Sequence, residues 1–182
     1  DRLDLKVVPR LMVCFDISHT QGSETVGGAA VFENAEPKKA EYRHMRIKGD
    51  WGNDDYRSME EVVTRYFRRR LEEGRPLPDF VLIDGGKGQL AAAQKALAGL
   101  GVTDVALAAL AKREELVYRP GRSEPFHLGR KNKALHVLQR IRDEAHRFAV
   151  TYNRKLRKKR TIGSDLANIP GIGPERQKML LL

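Results

Sequence analysis

Two carboxylates stand in runs too apolar to hold them without a partner. Asp16 interrupts Leu11-Met12-Val13-Cys14-Phe15-Asp16-Ile17, and Asp84 closes Phe80-Val81-Leu82-Ile83-Asp84. An ionised Asp in such surroundings is costly unless a cation, an Arg or backbone donors sit beside it. If the two runs are neighbouring parallel strands, both carboxylates arrive at one sheet edge, where α/β folds keep their sites. Hard oxygen donors with open positions suit Mg²⁺ or Mn²⁺. A third donor is expected from the helical segment Ile141-Arg142-Asp143-Glu144-Ala145-His146-Arg147-Phe148, where His146 adjoins the apolar position Ala145. Arg142 falls one turn earlier on the same side. The set Asp16, Asp84 and His146 is therefore expected to meet around a divalent ion. Each member also has a plainer reading: an Asp in the turn after a strand, an Asp capping the next helix, and a helix-surface imidazole.

Other residues fall near this expected centre. His19 and Lys112 lie just past strand runs, and Asp55 opens a helix, either as part of its cap or as a contributor to the site. Gly85-Gly86-Lys87-Gly88 follows Asp84 but lacks phosphate-loop spacing, because Val81 stands where the first Gly belongs and Gly88 replaces Ser or Thr. Lys87 is expected to meet a nucleic-acid phosphate, with the glycines making a tight turn. Near the end, Asn168-Ile169-Pro170-Gly171-Ile172-Gly173-Pro174-Glu175-Arg176 reads as a hairpin between two helices. There Gly171 and Gly173 let backbone N–H groups approach a DNA phosphate without reading sequence. The last long helix is expected to end in the preceding run, Arg154, Lys155, Leu156, Arg157, Lys158, Lys159, Arg160, with a basic linker from 158 onward, and the run's charges are expected to track phosphates.

The elements that must position these groups follow from periodicity. A first strand is expected over 10–17, a second over 22–33 with small residues where something packs closely, and a third over 40–48, joined as an antiparallel meander. A helix follows, with Met59, Val62, Val63, Tyr66, Phe67 and Leu71 on one face and Arg57, Arg65, Arg68, Arg69 and Arg70 on the rest. Asp54 or Asp55 is its expected N-cap, and Ser58 with Glu61 fits a capping box. Next come a buried parallel strand over 80–84, an Ala-rich helix over 89–100, a buried strand over 105–111 and an excursion of two small strands over 114–129. The last long helix starts near Lys133, with a packed stripe of Ala134, Leu138, Ile141, Ala145, Phe148 or Ala149, Tyr152 and Leu156. That order predicts an α/β fold: a mixed sheet, meander plus parallel strands, with helices on both faces.

Composition bounds the function classes. The 182 residues suit one domain with a small appendage, divided here as 1–157 and 158–182. A net charge of +10 and a pI near 9.9 favour a polyanionic partner, nucleic acid first. No run reaches the about 20 apolar residues of a membrane helix, and no signal peptide opens the chain. Cys14 is the single cysteine, which leaves no intramolecular disulfide or thiolate cluster and fits a reducing compartment. The opening at Asp1 and the apolar end Met179–Leu182 read as those of a piece of a longer chain.

Four separated motifs, Cys14-Phe15-Asp16-Ile17-Ser18-His19-Thr20, Asp55-Tyr56-Arg57-Ser58-Met59, Leu82-Ile83-Asp84-Gly85-Gly86-Lys87-Gly88-Gln89-Leu90 and Ile141-Arg142-Asp143-Glu144-Ala145-His146, resemble the C-terminal nuclease half of the UvrC family. The resemblance runs in order along essentially the whole chain. It implies a ribonuclease-H-like fold followed by a truncated helix-hairpin-helix element, and an excision endonuclease of nucleotide excision repair and the SOS response. Such an enzyme cuts damaged double-stranded DNA on the five-prime side of the lesion, in the bacterial cytoplasm. By position, Asp16, Asp84 and His146 match the family's catalytic and metal-binding trio, Asp55 a further acidic position, and Lys112 a position near the site. The resemblance also implies UvrB as partner, with UvrA upstream. The family's N-terminal nuclease, cysteine-bearing segment and UvrB-binding segment have no counterpart in these 182 residues.

Two rival readings follow from the same residues. One is a ribonuclease-H-like nuclease acting on RNA or an RNA–DNA hybrid; the hairpin at Gly171 and Gly173 argues against it, since it offers nothing to a 2′-hydroxyl. The other is a non-catalytic DNA-binding or assembly module, with salt-sensitive binding and no metal dependence.

Overall fold

The computed structural model describes residues 3, 5, 7–19 and 24–180, with the Lys159 side chain left out; the expected strand start at Gly22 and Ser23 lies outside the described residues, as do Thr20, Leu181 and Leu182. The chain opens with β1 (Leu11–His19), β2 (Thr25–Glu33), β3 (Glu36–Pro37), a single 3₁₀ turn (Lys39–Glu41) and β4 (Arg43–Arg46). Then come α1 (Asp55–Glu72), β5 (Phe80–Asp84), α2 (Lys87–Gly99), β6 (Ala106–Ala111), β7 (Leu116–Tyr118), α3 (Lys133–Ala167) and α4 (Pro174–Leu180). These strands form one mixed sheet, ordered β3-β2-β1-β5-β6-β7, with β4 also paired to β2. β1 is antiparallel to β2 and parallel to β5, β5 is parallel to β6, and β7 runs antiparallel at the far edge.

The expected third strand over 40–48 is shortened to β4, and a separate two-residue strand, β3, lies before it. β3 meets Phe32 and Glu33, β4 meets Val26 to Ala29, and the 3₁₀ turn lies between them. Pro37 has no N–H to continue a ladder, so the edge breaks there. The expected two-strand excursion is one short strand plus a bridge between Val117 and Phe126, because Pro120, Gly121 and Pro125 interrupt regular pairing. The basic run 154–160 does not end the last helix. It is helical, part of an uninterrupted α3, since Lys and Arg are good helix formers and nothing in the run breaks a helix.

Helices cover both faces of the sheet, and two adjacent glycines on β2 set how closely. A side chain at Gly27 would run into Val62 of α1 on one face. At Gly28, on the other, a Cβ would stand 2.9 Å from the Ala149 methyl of α3 and 3.3 Å from the Ala145 carbonyl oxygen. The central strands are buried on both faces, with Val13, Phe15, Val31, Leu82 and Ile83 among the closed core, as expected when parallel strands are covered by helices. Phe15 meets Tyr66 of α1 edge-on at 5.1 Å. At the opposite end of the sheet from Asp16, the Asp79 carboxylate accepts from Arg10 N–H (2.9 Å) and Leu11 N–H (2.8 Å), pinning β1 to the start of β5.

α1 begins with Asp54 as N-cap, its carboxylate accepting from the Tyr56 and Arg57 N–H groups. The expected Ser58–Glu61 capping box does not form. Glu61 instead accepts from the Lys48 and Gly49 N–H groups and from Trp51 Nε1, stapling the loop before the helix, while Ser58 Oγ is buried with no hydrogen-bond partner. Arg70 is buried against Tyr66 and Pro76 and pairs with Glu41 at 2.9 Å.

Candidate metal centre

Register brings the two aspartates together. β1 and β5 pair Phe15 with Ile83, so Asp16 and Asp84 follow side by side at the same level of the sheet. Strand alternation turns Phe15 toward α1 and Asp16 toward α3. α3 meets that face through Leu138, Ile141, Ala145 and Ala149, and the two alanines, opposite Gly28, let the helix axis come close. His146 stands at the rim of this stripe, its Nδ1 3.1 Å from Asp16 Oδ2 and 4.0 Å from Asp84 Oδ2.

One donor atom from each of Asp16, Asp84 and His146 lies within 4.8 Å of the others. Asp16 is buried and Asp84 nearly so, and among the described residues neither has a Lys or Arg within ion-pair distance. Burial, reinforced by the Asp84 charge, pushes the Asp16 carboxyl up to about 6. Burial also raises Asp84, against the opposing charges of Arg142, His146 and Lys112. Two carboxylates held this way are short of positive charge, and two oxygens with one imidazole nitrogen fit a hard divalent cation. Cys14, beside them in sequence, has its thiol pushed up by burial and so is an inert core residue.

The residues around the trio take distinct places. Arg142 is buried one turn before His146 and does not touch the aspartates; it grips both Glu115 oxygens at 3.0 Å and Asp143 at 2.9 Å. It thereby ties α3 to the turn after β6. Lys112 is exposed just beyond β6, and its charge reaches both aspartates. His19 and Asp55 pair with each other, His19 also meeting Thr25 Oγ1 at 3.0 Å. Asp55 thus lies outside the trio and locks the end of β1 to the start of α1. Lys87 is exposed as the first residue of α2, directly after the turn that follows Asp84. Arg154, Lys155, Arg157, Lys158 and Arg160 are exposed on the C-terminal half of α3, whereas the Lys159 side chain lies outside the described residues. Gly171, at φ 89°, and Gly173 make the turn between α3 and α4, a backbone shape that favours glycine at the first position.

Two supporting groups were not legible as site residues. Asn153 is buried and donates to Ser18 Oγ at 2.6 Å, holding α3 against the end of β1. It is the next step of the series Ile141, Ala145, Ala149, so the helical period marks it as inward-facing. His44 stacks on Phe148 at 3.5 Å and Tyr152 at 4.1 Å, and its Nε2 donates to the Phe148 carbonyl. Burial lowers its pKa, and no spacing in the sequence links it to α3.

Comparisons with known proteins agree with this architecture. The UvrC RNase H endonuclease domain matches residues 1–150. The UvrABC system protein C of Gemmatimonas aurantiaca is 56% identical over 179 residues, covering 98% of this chain and 29% of its own length. That of Koribacter versatilis is 50% identical over 182 residues, covering 100% of this chain and 30% of its own. The chain therefore spans less than a third of the length of these relatives. Among solved structures, an endonuclease V of Ciona intestinalis in complex with an inosine-containing DNA covers 57% of this chain and 46% of that one, at 13% identity and TM-score 0.43. With the domain match over residues 1–150 and identities near one half along the whole chain, this protein belongs to the UvrC RNase H endonuclease domain family.

Proposed function

We propose that this chain is the metal-dependent nuclease part of a nucleotide excision repair enzyme, making the five-prime incision in damaged double-stranded DNA. The observation that carries this reading is the convergence of Asp16, Asp84 and His146, drawn from two strands and a helix, with their donor atoms within 4.8 Å of one another. Family membership and the net charge of +10 agree with a nucleic-acid substrate. Asp16, Asp84 and His146 would hold Mg²⁺ or Mn²⁺. Such an ion, when bound, polarises a scissile phosphate and lowers the pKa of its water.

The chain's own groups do the rest. Asp16 and Asp84 supply negative charge in fixed register, and burial keeps competing water away. His146, half exposed at the rim, completes the donor set or passes a proton to or from the reacting groups. Lys112 offsets excess negative charge beside both aspartates, and Arg142 fixes the turn that carries His146. Asp55 and His19 keep the end of β1 in place. Lys87, Arg154, Lys155, Arg157, Lys158, Lys159 and Arg160 contact DNA phosphates, with the backbone at Gly171 and Gly173 as a truncated helix-hairpin-helix grip. In this division 1–157 is the nuclease domain and 158–182 the DNA-holding appendage. In the full-length protein UvrB, loaded by UvrA, delivers the lesion in the cytoplasm.

The test is a Mn²⁺ titration followed by electron paramagnetic resonance, paired with cleavage of end-labelled lesion-bearing duplex, undamaged duplex and RNA–DNA hybrid in the presence of UvrB. Wild-type protein binds Mn²⁺ and cuts the damaged duplex; Asp16→Asn and Asp84→Asn lose both. Unchanged Mn²⁺ binding or unchanged cutting in both variants defeats the reading, and preferred cutting of the hybrid replaces the substrate.

A further inference from the structure

Arg57, Arg65 and Arg68 on α1 are absorbed neither by the core nor by the metal centre. Lys48, Trp51, Arg57, Arg65, Arg68 and Lys95 line an open groove of about 670 Å³ along the outer side of α1. Arg57, Arg65 and Arg68 share one helical face, opposite the buried Met59, Val62, Val63, Tyr66 and Phe67. The groove's two carboxylates are spent internally: Glu60 pairs with Lys95 at 3.0 Å, and Glu61 with Arg65 at 3.0 Å and with Trp51 Nε1 at 2.9 Å. Lys48 and Arg68 are exposed and carry no ion pair among the described residues. Arg57 stands over the Trp51 ring at 5.3 Å and only loosely meets Asp54, at 3.5 Å. The result is a trough whose walls are held by ion pairs and whose five cationic side chains outnumber its two carboxylates.

We infer that this trough is a second nucleic-acid contact surface, which holds the phosphate backbone of the DNA flanking the cut site; the inference rests on the nuclease reading only in taking DNA as the ligand. Position favours DNA over an acidic polypeptide. α1 starts at Asp55, which pairs with His19, three residues beyond Asp16 on β1. The start of α1 is therefore tied to the end of the strand that carries Asp16, although the helix packs on the opposite face of the sheet from the metal centre. From Arg57 to Arg68 the helix rises about 16 Å, enough for about five nucleotides at roughly 3.4 Å each. This surface is separate from the basic half of α3, so a duplex would be held on two sides of the centre.

Trp51 is the only tryptophan, so its fluorescence reads the trough directly. Full chain, free of divalent metal and in EDTA, is titrated with a 30-base-pair duplex, following Trp51 emission and fluorescence anisotropy of labelled DNA across salt concentrations. Binding should change Trp51 emission. Replacing Arg57 and Arg68 together by Ala should weaken binding about tenfold at 0.1 M salt and flatten the salt slope by about two. A control removing Arg122 and Arg140, exposed basic residues elsewhere, should change either by less than half as much. Thermal melts check that all variants fold. Equal effects in control and test variants, an unchanged salt slope, or silent Trp51 emission overturns the inference even if Asp16→Asn still abolishes cutting. Loss of binding to an acidic polypeptide with unchanged DNA binding overturns it too. Should Asp16→Asn cut normally while the trough variants bind DNA weakly, the surface stands and the nuclease assignment falls.

Discussion

Replacing Asp16 by Asn removes one negative charge from a pair that burial has forced together, so in metal-free protein this loss of a site residue should stabilise the fold. The Asp16 carboxyl sits at about 6 against an ordinary value of 3.8. That difference of about two units corresponds to roughly 3 kcal/mol of strain in the ionised native state, an upper bound because Asp84 relaxes once its neighbour is neutral. The sign follows from proton binding. Between the ordinary and the raised pKa the folded state holds a proton that the unfolded state has lost, so wild-type stability falls as pH rises through that window and stays reduced above it. Asn pays none of this, and its side-chain oxygen can still accept from His146 Nδ1. The expected gain at pH 7.5 in EDTA is about 2–3 kcal/mol, or roughly 5–10 °C in Tm for a chain of this size. The gain should shrink to nothing near pH 4. Adding Mn²⁺ should raise the Tm of the wild type, whose buried charges then have their partner, and leave the variant unmoved. Urea and thermal unfolding at pH 4, 5, 6 and 7.5, with and without Mn²⁺, read every part of this. A metal-free variant no more stable than wild type at pH 7.5, or one that gains as much from Mn²⁺, would refute the reasoning.

Three further outcomes are expected. Gly28→Val should lever α3 off the sheet, because even a Cβ meets Ala149 at 2.9 Å; a loss of about 1–3 kcal/mol with weaker Mn²⁺ binding is read by urea unfolding and metal titration. Glu41, held down to about 2 by Arg70 and Lys38 despite partial burial, contributes stability that is present above pH 4.5 and lost as pH falls toward 2. Glu41→Gln should cost about 2–3 kcal/mol at pH 7, since Arg70 stays buried without its charge partner, and should flatten acid unfolding followed by circular dichroism. Ser58→Ala deletes a buried hydroxyl that has no partner, so Tm should hold or rise, by up to about 1 kcal/mol in stability.

What was legible in the sequence follows the physics of each element. Apolar runs ending in Asp16 and Asp84 announced two buried strands, because a charge there demands a partner. The small residues at Gly27 and Gly28 marked close packing, and the structure shows α1 on one and α3 on the other. The side-by-side register of Asp16 and Asp84 is a property of β1 and β5 together, and neither strand encodes it alone. Asp55 fits the start of α1 equally well as cap or as site residue; its actual partner, His19, is distant in sequence. Alternation over 40–48 suggests a strand throughout, while the 3₁₀ turn at Lys39–Glu41 takes its start and only Arg43–Arg46 is strand. Charge density makes 154–160 read as the end of the last helix, yet helix propensity there is high and α3 simply continues.

That continuity has a mechanical meaning. His146 and the Asn168 end of α3 belong to one rod, separated by about 33 Å of helical rise. Adding one residue between them would swing everything beyond by about 100° around the axis, whereas adding seven would restore the facing almost completely. Any ligand gripped at the turn is thus held at a set reach from His146, and helix length, not loop slack, is the gauge.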